Sequence, residues 1–152
     1  MEIRKAQEPD IDAILELNRQ IGEIHYEHYP EVFCPPSPEE RAFLLTAIAA
    51  EGRLFCVAEL DGAVVGFLTA RIDINEAIPF LTKLPVCHIS SVVVDEKHRG
   101  RGIGKELIAH CDSWARAHDA HQIRLEVMAF NERAKALYET LGFKVQSQIM
   151  AR

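Results

Sequence analysis

The chain has 152 residues, of which 48% are hydrophobic and 26% charged, and its formal net charge is −6. This length and composition are typical of one globular domain with a sizeable core. The negative charge argues against nonspecific nucleic-acid binding, which depends on neutralising phosphates with basic side chains. A cationic substrate such as an amine is compatible with this charge, although ordinary solubility is the simpler explanation.

The sequence predicts neither a targeting segment nor a membrane span. Met1–Asp10 is charged and lacks the apolar core of a signal peptide, and no apolar run reaches transmembrane length. The four cysteines form no C-x-x-C pair, and Cys56, Cys87 and Cys111 fall within apolar patterns typical of buried thiols. We therefore expect a cytoplasmic protein with reduced cysteines and no membrane partner.

The first third of the chain is mainly helical in pattern. Glu2–Lys5 is predicted as a short strand, and Glu8-Pro9-Asp10 precedes a helix whose apolar residues recur at helical spacing. Ile24–Phe33 is rich in aromatic residues and histidine and leads into a proline-rich loop. The capping-box sequence Ser37-Pro38-Glu39-Glu40 predicts a second helix that runs to about Ala50. The predicted apolar face of this helix comprises Phe43, Leu44, Ala47 and Ile48.

The remainder of the chain contains five predicted strands and two predicted helices. Asp61-Gly62 is a strong hairpin sequence between the first two of these strands, and Asn75–Leu84 is an irregular connection or a short helix. The predicted strands are Arg53–Leu60, Ala63–Ile72, Val86–Val94, Gln122–Met128 and Phe143–Met150. The predicted helices are Ile103–His118 and Asn131–Thr140, the second of which is stopped by Gly142.

This order of elements, β-α-α-β-β-β-α-β-α-β, predicts an α/β (α+β) fold with a mixed sheet and helices on its faces. No internal repeat, low-complexity segment or interdomain linker interrupts the sequence. We therefore expect a single domain over residues 1–152.

The stretch Val92–Gly104, V-V-V-D-E-K-H-R-G-R-G-I-G, joins the predicted central strand to a glycine-rich turn that opens a helix. Glycine allows positive φ and a close approach of the backbone to a ligand, and a helix N-terminus favours a phosphate. The ending Gly104-Lys105-Glu106 excludes a Walker loop, and Lys105 stands where a dinucleotide fingerprint needs glycine. The pattern R-x-x-G-x-G does fit, through Arg99, Gly102 and Gly104.

A second motif lies further along the chain. The pattern N-x-x-A-x-x-L-Y-x-x-x-G-F is carried by Asn131, Ala134, Leu137, Tyr138, Gly142 and Phe143. With both motifs in this order, most of residues 2–148 resembles the GCN5-related N-acetyltransferase (GNAT) superfamily. The resemblance implies a mixed, mostly antiparallel central sheet with helices on both faces, and transfer of an acetyl group from acetyl-CoA to an amine.

The resemblance also assigns the acetyl-CoA site. Backbone N–H groups of Arg99–Gly104 would cradle the pyrophosphate, while Arg99 or Arg101 would add charge. The edge of Val92–Val94 would pair with the pantetheine arm as an added strand does, and an N–H of Val93 or Val94 would polarise the thioester carbonyl. The predicted cofactor-binding residues are Val92, Val93, Val94, Arg99, Gly100, Arg101, Gly102, Ile103, Gly104, Lys105, Asn131 and Tyr138.

Two residues of the second motif have implied roles. Tyr138 matches the family's tyrosine near the CoA sulfur, which acts as a general acid. A phenol with a pKa of about 10 is protonated at neutral pH and therefore suits a thiolate leaving group. Asn131 matches a residue that hydrogen-bonds the pantetheine or caps the helix, and capping alone is a sufficient reason for asparagine there.

The general base is the least determined role. Many relatives carry a carboxylate on the central strand shortly before the valine run, where this chain has Ser90-Ser91. His88 lies two residues before Ser90 and is predicted to share a strand face with Ser90 and Val92. We expect His88 to act as the base, directly or through water held by Ser90. Glu59 and Glu126 are interpreted as solvated or structural charges.

The segment Ile24–Phe33 resembles the substrate-side loop between the family's first two helices. His25 and His28 lie three residues apart and face the same way if the first helix continues through them. No third ligand follows at a characteristic spacing, so we expect no metal there. The predicted acceptor-binding residues are His25, Tyr26, His28, Tyr29 and Phe33.

Together these features predict an acetyl-CoA-dependent N-acetyltransferase that acts within a ternary complex. The acceptor would be a small amine such as an aminoglycoside-like or polyamine compound, an amino acid, or a peptide N-terminus or lysine. The alternative is a non-catalytic CoA-binding module on the same scaffold, which the missing strand carboxylate keeps open. A homodimer is a further hypothesis, in which the final strand near Val145–Ile149 offers an edge for pairing.

Overall fold

Five strands form one sheet in the order β1-β2-β3-β4-β5, in a computed structural model that describes residues 1–152. The strands are β1 (Glu2–Lys5), β2 (Arg53–Leu60), β3 (Ala63–Asp73), β4 (Val86–Val94) and β5 (Gln122–Leu125). The pairs β1–β2, β2–β3 and β3–β4 are antiparallel, whereas β4 and β5 are parallel. The predicted mixed, mostly antiparallel sheet is thereby confirmed.

Four helices cover the two faces of this sheet. They are α1 (Ile11–His28), α2 (Glu39–Ala49), α3 (Ile103–Ala117) and α4 (Glu132–Thr140). Ile14 of α1 and Leu44 of α2 pack with Phe67 on one face. Leu107 of α3 packs with Leu68 on the other face, so that each face has its own apolar core. None of the helices combines the length and the apolar character that crossing a membrane requires.

Strand β4 contains a β-bulge at Ser90. Ile89 pairs with Ala70 of β3 and Ser91 pairs with the adjacent Thr69, so that Ser90 is an additional residue in the ladder. A bulge of this kind bends the strand and shifts the alternation of its side chains by one residue.

The bulge decides which side of the sheet each β4 residue faces. Ile89 belongs to the apolar core beneath α3, and Val92 also packs against that core, whereas Val93 belongs to the core beneath α1 and α2. Without the bulge, Ile89 and Val93 would share a face. His88 therefore faces the side opposite to Val92, and the prediction that these two residues share a face is wrong.

Helix α1 is longer than its apolar pattern alone predicts. A short 3-10 turn at Glu8–Asp10 precedes it, and it continues through His28. The aromatic segment therefore begins as helix. This places His25 and His28 on one helix face, as the sequence predicted for a continuing helix.

The start of α2 differs from the predicted capping box. The Ser37 hydroxyl accepts a hydrogen bond from the Glu39 N–H at 3.3 Å, but the Glu40 carboxylate accepts from Nδ2 of Asn18 on α1 at 3.0 Å. Glu40 thus ties two helices together instead of capping its own. The predicted apolar face is also too wide, because Phe43 is 73% exposed while Leu44 and Ile48 are buried.

The C-terminal segment does not form the predicted strand Phe143–Met150. Residues 144–152 make no backbone–backbone hydrogen bond, and Val145, Ile149 and Met150 are exposed. Alternating apolar residues favour a strand, but a strand also requires a neighbouring backbone with which to pair. Strand β5 is likewise shorter than predicted, because it ends at Leu125. A homodimer built on edge pairing of Val145–Ile149 lacks the strand that it was predicted to use.

Gly66 of β3 provides a test of how tightly the sheet packs under α3. An added Cβ there would lie 2.9 Å from the Val93 carbonyl oxygen and 3.3 Å from side-chain atoms of Ile103 and Leu107. Because a backbone atom cannot rotate away, we expect Gly66→Ala to lower the free energy of unfolding by about 1–3 kcal/mol in chemical denaturation.

Gly22 in α1 is the matched control for this substitution. An added Cβ at Gly22 meets nothing within 4 Å. Because alanine favours a helix over glycine, Gly22→Ala should raise the free energy of unfolding by up to about 1 kcal/mol. Equal stability of the two variants would contradict the packing described for Gly66.

Candidate active site

Strand β5 pairs with only the first half of β4. Their parallel pairing runs from Val86–Gln122 to Ile89–Leu125 and ends there, whereas β4 remains paired with β3 as far as Val94. The edge of β4 on the β5 side is therefore without a strand partner over Ser90–Val94, and we call the opening beside this edge the gap. Unpaired backbone groups of this kind form a template for another extended chain.

The direction of the backbone groups along this edge follows from one hydrogen bond. The Asp95 N–H donates to the Val65 carbonyl at 2.8 Å, which is toward β3. Successive residues of a strand point their N–H groups to opposite edges, so Val93 also points toward β3 while Val92 and Val94 point into the gap. Of the two residues proposed for the thioester carbonyl, this orientation favours Val94.

The glycine-rich turn lies at the end of this edge. Gly100 and Gly102 have φ angles of 80° and 79°, which confirms the positive φ predicted for the turn. The first intrahelical hydrogen bond of α3 is donated by Glu106 to Gly102, at 3.1 Å. The N–H groups of residues 103–105 consequently remain available to an anion at the N-terminus of α3.

A buried glutamine of α1 anchors the segment that enters the turn. Gln20 is the one buried polar side chain, and its amide donates to Asp95 at 2.9 Å and accepts from the Glu96 N–H at 3.1 Å. His98 lies 2.6 Å from the other Asp95 oxygen. The hydrogen bond from Gln20, followed by that from His98, lowers the pKa of Asp95. The apolar periodicity of α1 contained no indication of this contact.

The cations around the turn divide into one that is engaged and three that are free. Arg99 donates from Nε to the Val94 carbonyl at 3.3 Å and so braces the end of β4. Arg101, Lys105 and Arg133 have no carboxylate partner among the ion pairs of the protein. Arg133 of α4 was missed by the sequence analysis, yet its Nη2 would lie 3.6 Å from a Cβ added at Gly100. The turn is thus locally positive.

Helix α4 brings the second motif to the same place. Asn131 caps it, because its Oδ1 accepts from the Ala134 N–H at 3.1 Å, so capping is one confirmed role of this asparagine. A Cβ added at Gly104 would lie only 3.2 Å from the Leu137 side chain. Close packing of α4 against α3 therefore explains why the turn ends in glycine. Tyr138 is half-buried against the core beneath α3, and burial raises its pKa.

His88 sits where β4 and β5 are still paired, just before they separate. It is half-buried between its register partners Arg71 of β3 and Arg124 of β5. Burial, and then the charge of Arg71, lowers its pKa below the ordinary value of 6.5, while Asp73 and Glu126 act in the opposite direction. His88 is therefore neutral at pH 7, the form in which a histidine accepts a proton.

Ser90 and Glu126 are linked to His88 in different ways. Ser90 is exposed and accepts a hydrogen bond from Arg71 at 3.2 Å. Glu126 follows β5 directly and is exposed, as predicted for a solvated charge, and its charge also acts to raise the pKa of His88. The proximity of Glu126 to His88 was not predicted, because the spatial proximity of β4 and β5 residues depends on their register.

The aromatic segment forms a group of stacked rings with Phe130, which the sequence analysis did not single out. His28 stacks on Phe130 with centroids 3.9 Å apart and an interplanar angle of 7°. His25 stacks on Phe33 at 4.6 Å and meets Phe130 edge-on at 5.7 Å. Tyr29 also lies 5.8 Å from Phe130, whereas Tyr26 is 40% exposed. Burial, together with the nearby His28, lowers the pKa of His25.

Taken together, the features of the gap and of the glycine-rich turn fit acetyl-CoA. A free strand edge suits the amides of pantetheine, while a left-handed glycine turn with free N–H groups and unpaired cations suits a pyrophosphate. No group of three or more His, Cys, Asp or Glu side chains is arranged around a common metal position. The fold and this site define the class of acyltransferases that use a coenzyme A thioester.

The chain belongs to the acetyltransferase (GNAT) family, whose family model matches residues 18–143. It is 32% identical over 147 residues to an N-alpha-acetyltransferase of Sulfurisphaera tokodaii, covering 93% of this chain and 79% of that protein. The N-alpha-acetyltransferase of Saccharolobus solfataricus matches with the same identity and coverage. The protein is therefore an acetyl-CoA-dependent N-acetyltransferase, which favours the enzyme over the non-catalytic module.

Solved structures share the fold of this chain. A mutant of the BH1408 protein from Bacillus halodurans superposes with a TM-score of 0.92 at 28% identity, covering 100% of this chain and 99% of that one. An aminoglycoside N-acetyltransferase in complex with CoA superposes with a TM-score of 0.77 at 20% identity, covering 99% of this chain and 92% of that one. The second similarity concerns the fold alone.

Arg133 tests the positive character of the turn. Because a charge-assisted hydrogen bond to a phosphate contributes about 1.5–3 kcal/mol, we expect Arg133→Ala to weaken acetyl-CoA binding about tenfold or more in calorimetric titration. Arg116→Ala, which removes an equal charge in the last turn of α3, serves as the control. Equal affinities of the two variants would mean that Arg133 does not contact the cofactor.

Proposed function

We propose that this enzyme transfers the acetyl group of acetyl-CoA directly to the α-amino group at the N-terminus of a peptide or protein, within a ternary complex. The observation that carries the proposal is the free edge of β4 at Ser90–Val94, with the half-buried neutral His88 directly before it. The α-amino acceptor is supported by the relatives named N-alpha-acetyltransferase, which are similar to this chain over nearly its whole length.

In this proposal the chain holds the donor at three places. The N–H groups of residues 103–105 bind the pyrophosphate, with Arg101 and Lys105 adding charge. The N–H groups of Val92 and Val94 pair with the pantetheine, and that of Val94 polarises the carbonyl. The amide nitrogen of Asn131 is free to donate while its oxygen caps α4. Acetyl-CoA supplies the acetyl group as a thioester, which is already activated for transfer.

His88 serves as the general base. An ammonium group has no lone pair, so the acceptor must lose a proton before it can attack a carbonyl. Neutral His88 accepts that proton, directly or through water, and the negative charge of Glu126 stabilises the imidazolium that results. The Ser90 hydroxyl accepts a hydrogen bond from Arg71, so that in this proposal Ser90 acts by orienting the arginine that lies beside His88.

Tyr138 serves as the general acid. Its burial keeps the phenol protonated at neutral pH, because an ionised phenolate would be poorly solvated there. It donates a proton to the sulfur as the thiolate leaves, which completes the transfer without a covalent enzyme intermediate.

Within residues 25–33, Tyr26 and Tyr29 form one wall of the acceptor pocket. This segment contacts the residues between β5 and α4 through Phe130, and Glu126 lies in the same connection. Tyr26 is 40% exposed, and Tyr29 is tilted against Phe130 at 5.8 Å, so both rings have surface to offer an acceptor. The net charge of −6 favours the approach of a cationic N-terminus.

Transfer to peptides tests the acceptor assignment. A peptide with a free N-terminus and an internal lysine should be acetylated at its α-amino group, as shown by free-thiol release and mass spectrometry. The same peptide with a blocked N-terminus should not react, and Tyr138→Phe should reduce turnover about 100-fold while retaining acetyl-CoA affinity. Acetylation of the lysine, or of an aminoglycoside in preference to the peptide, would contradict the proposal.

The pH dependence tests the base. Because His88 acts when neutral and its pKa is lowered from the ordinary value of 6.5, the acidic limb of the kcat profile should have its midpoint below pH 6.5. Glu126→Gln removes a charge that raises this pKa, so the acidic limb should move to lower pH. His88→Gln should lower kcat about 10²- to 10⁴-fold.

Glu59→Gln is the control for Glu126→Gln, since Glu59 is a strand carboxylate that pairs with Arg4 away from the gap. Its pH profile should match that of the unmodified enzyme. If the two variants have the same profile, Glu126 does not act on the base.

A further inference from the structure

The connection between β5 and α4 carries two residues of the proposed site but has no regular structure of its own. Glu126 stands at its start and Asn131 at its end, and it includes a turn in which the Asn131 N–H donates to the Met128 carbonyl at 2.9 Å. Connecting segments of this kind are generally more mobile than the elements they join, and they often carry the residues of binding sites. Phe130 is the large side chain at the tip of this turn.

The ring of Phe130 is held by α1. His28 lies parallel to it at 3.9 Å, and His25 meets its edge at 5.7 Å. Phe33 stacks on His25 at 4.6 Å and so closes the group from the other side. The four rings of His25, His28, Phe33 and Phe130 are named the ring clasp.

The orientation of His28 is fixed independently of Phe130. Its Nδ1 lies 2.9 Å from the Ile24 carbonyl, one turn earlier in α1, and donates to that oxygen. This hydrogen bond selects the tautomer with the proton on Nδ1 and sets the plane of the ring. The stacked surface is therefore presented to Phe130 by the helix itself.

The helix that carries the clasp is also anchored to the glycine-rich turn. Gln20 binds Asp95 and Glu96, and it precedes His28 by eight residues, or about 12 Å along the helix. The second half of α1 thus spans from the entry of the pyrophosphate turn to the connection before α4. It contacts both segments that border the gap.

Helix α4 has few other supports at its beginning. None of its residues is fully buried, and its firm contacts with α3 come from Leu137 and Tyr138 in its second half. Its first turn is capped by Asn131, follows Phe130 directly and places Arg133 near Gly100. The ring clasp is therefore directly adjacent in the chain to Asn131 and the start of α4.

We propose that His28 and His25 are positioning residues, which hold Phe130 by ring stacking and thereby place Asn131 for acetyl-CoA binding and Glu126 for the base. The two histidines then act through Phe130 and not on the acceptor. The part that concerns Glu126 rests on the proposed function, whereas the part that concerns Asn131 rests only on acetyl-CoA binding.

The experiment compares two substitutions at one position. His28→Ala removes the stacked ring, and His28→Phe keeps a ring while removing the titratable group. Calorimetric titration should show a three- to tenfold loss of acetyl-CoA affinity for His28→Ala, about the contribution of one aromatic pair, and a loss below about twofold for His28→Phe. The kcat pH profile of His28→Phe should match that of the unmodified enzyme.

Phe130 supplies the second half of a double-mutant cycle. Phe130→Leu, which retains an apolar side chain, should lose affinity as His28→Ala does, and the double variant should lose little more than either alone. Val32→Ala is the control, because Val32 is an exposed residue of the same loop outside the clasp. Circular dichroism before each titration shows that the variants are folded.

Two results would overturn the proposal. Equal loss of affinity in His28→Phe and His28→Ala would show that stacking is not the contribution of this ring. Unchanged affinity in both His28→Ala and Phe130→Leu would show that the clasp does not position the cofactor site. Failure of the acceptor assignment is distinguishable from both results, because the unmodified enzyme would then not transfer acetyl groups to peptides.

Discussion

The separation of β4 from β5 after the Ile89–Leu125 pair is the constraint on which the site depends. Backbone N–H and C=O groups that lose a strand partner must find another one, and the edge of Ser90–Val94 therefore presents peptide-like hydrogen bonds to a ligand. β3 holds the opposite edge of the same strand as far as Val94, so the free edge is rigid. The bulge at Ser90 lies where the pairing with β5 ends, and it reassigns the faces of the residues that follow.

Two contacts from α1 define the borders of this gap. Gln20 fixes the entry of the glycine-rich turn, and His28 reaches the connection before α4 through Phe130. The charge distribution matches this arrangement, because the protein carries a net charge of −6 while Arg101, Lys105 and Arg133 remain unpaired beside the turn. An anion is therefore attracted to one place on an otherwise acidic protein.

The surroundings of the proposed base and acid shift their pKa values in opposite directions, and both shifts suit the proposed roles. Burial lowers the pKa of His88 and raises that of Tyr138, because it disfavours the charged form of each side chain. Between these two pKa values the histidine is neutral and the phenol is protonated, which are the forms that proton acceptance and donation require. Glu126 and Arg71 then adjust the histidine in opposite directions.

The sequence by itself determined the features that arise from neighbouring residues: the hairpin at Asp61-Gly62, the left-handed glycines of the turn, the Asn131 cap and the order of most elements. These depend on φ preferences and helix periodicity, which act over a few positions. The tertiary structure alone decided the face of His88, the Gln20 anchor, the Phe130 stack and the absence of a strand after Phe143. Each of these depends on strand register or on contacts between residues distant in the chain, for which local patterns contain no information.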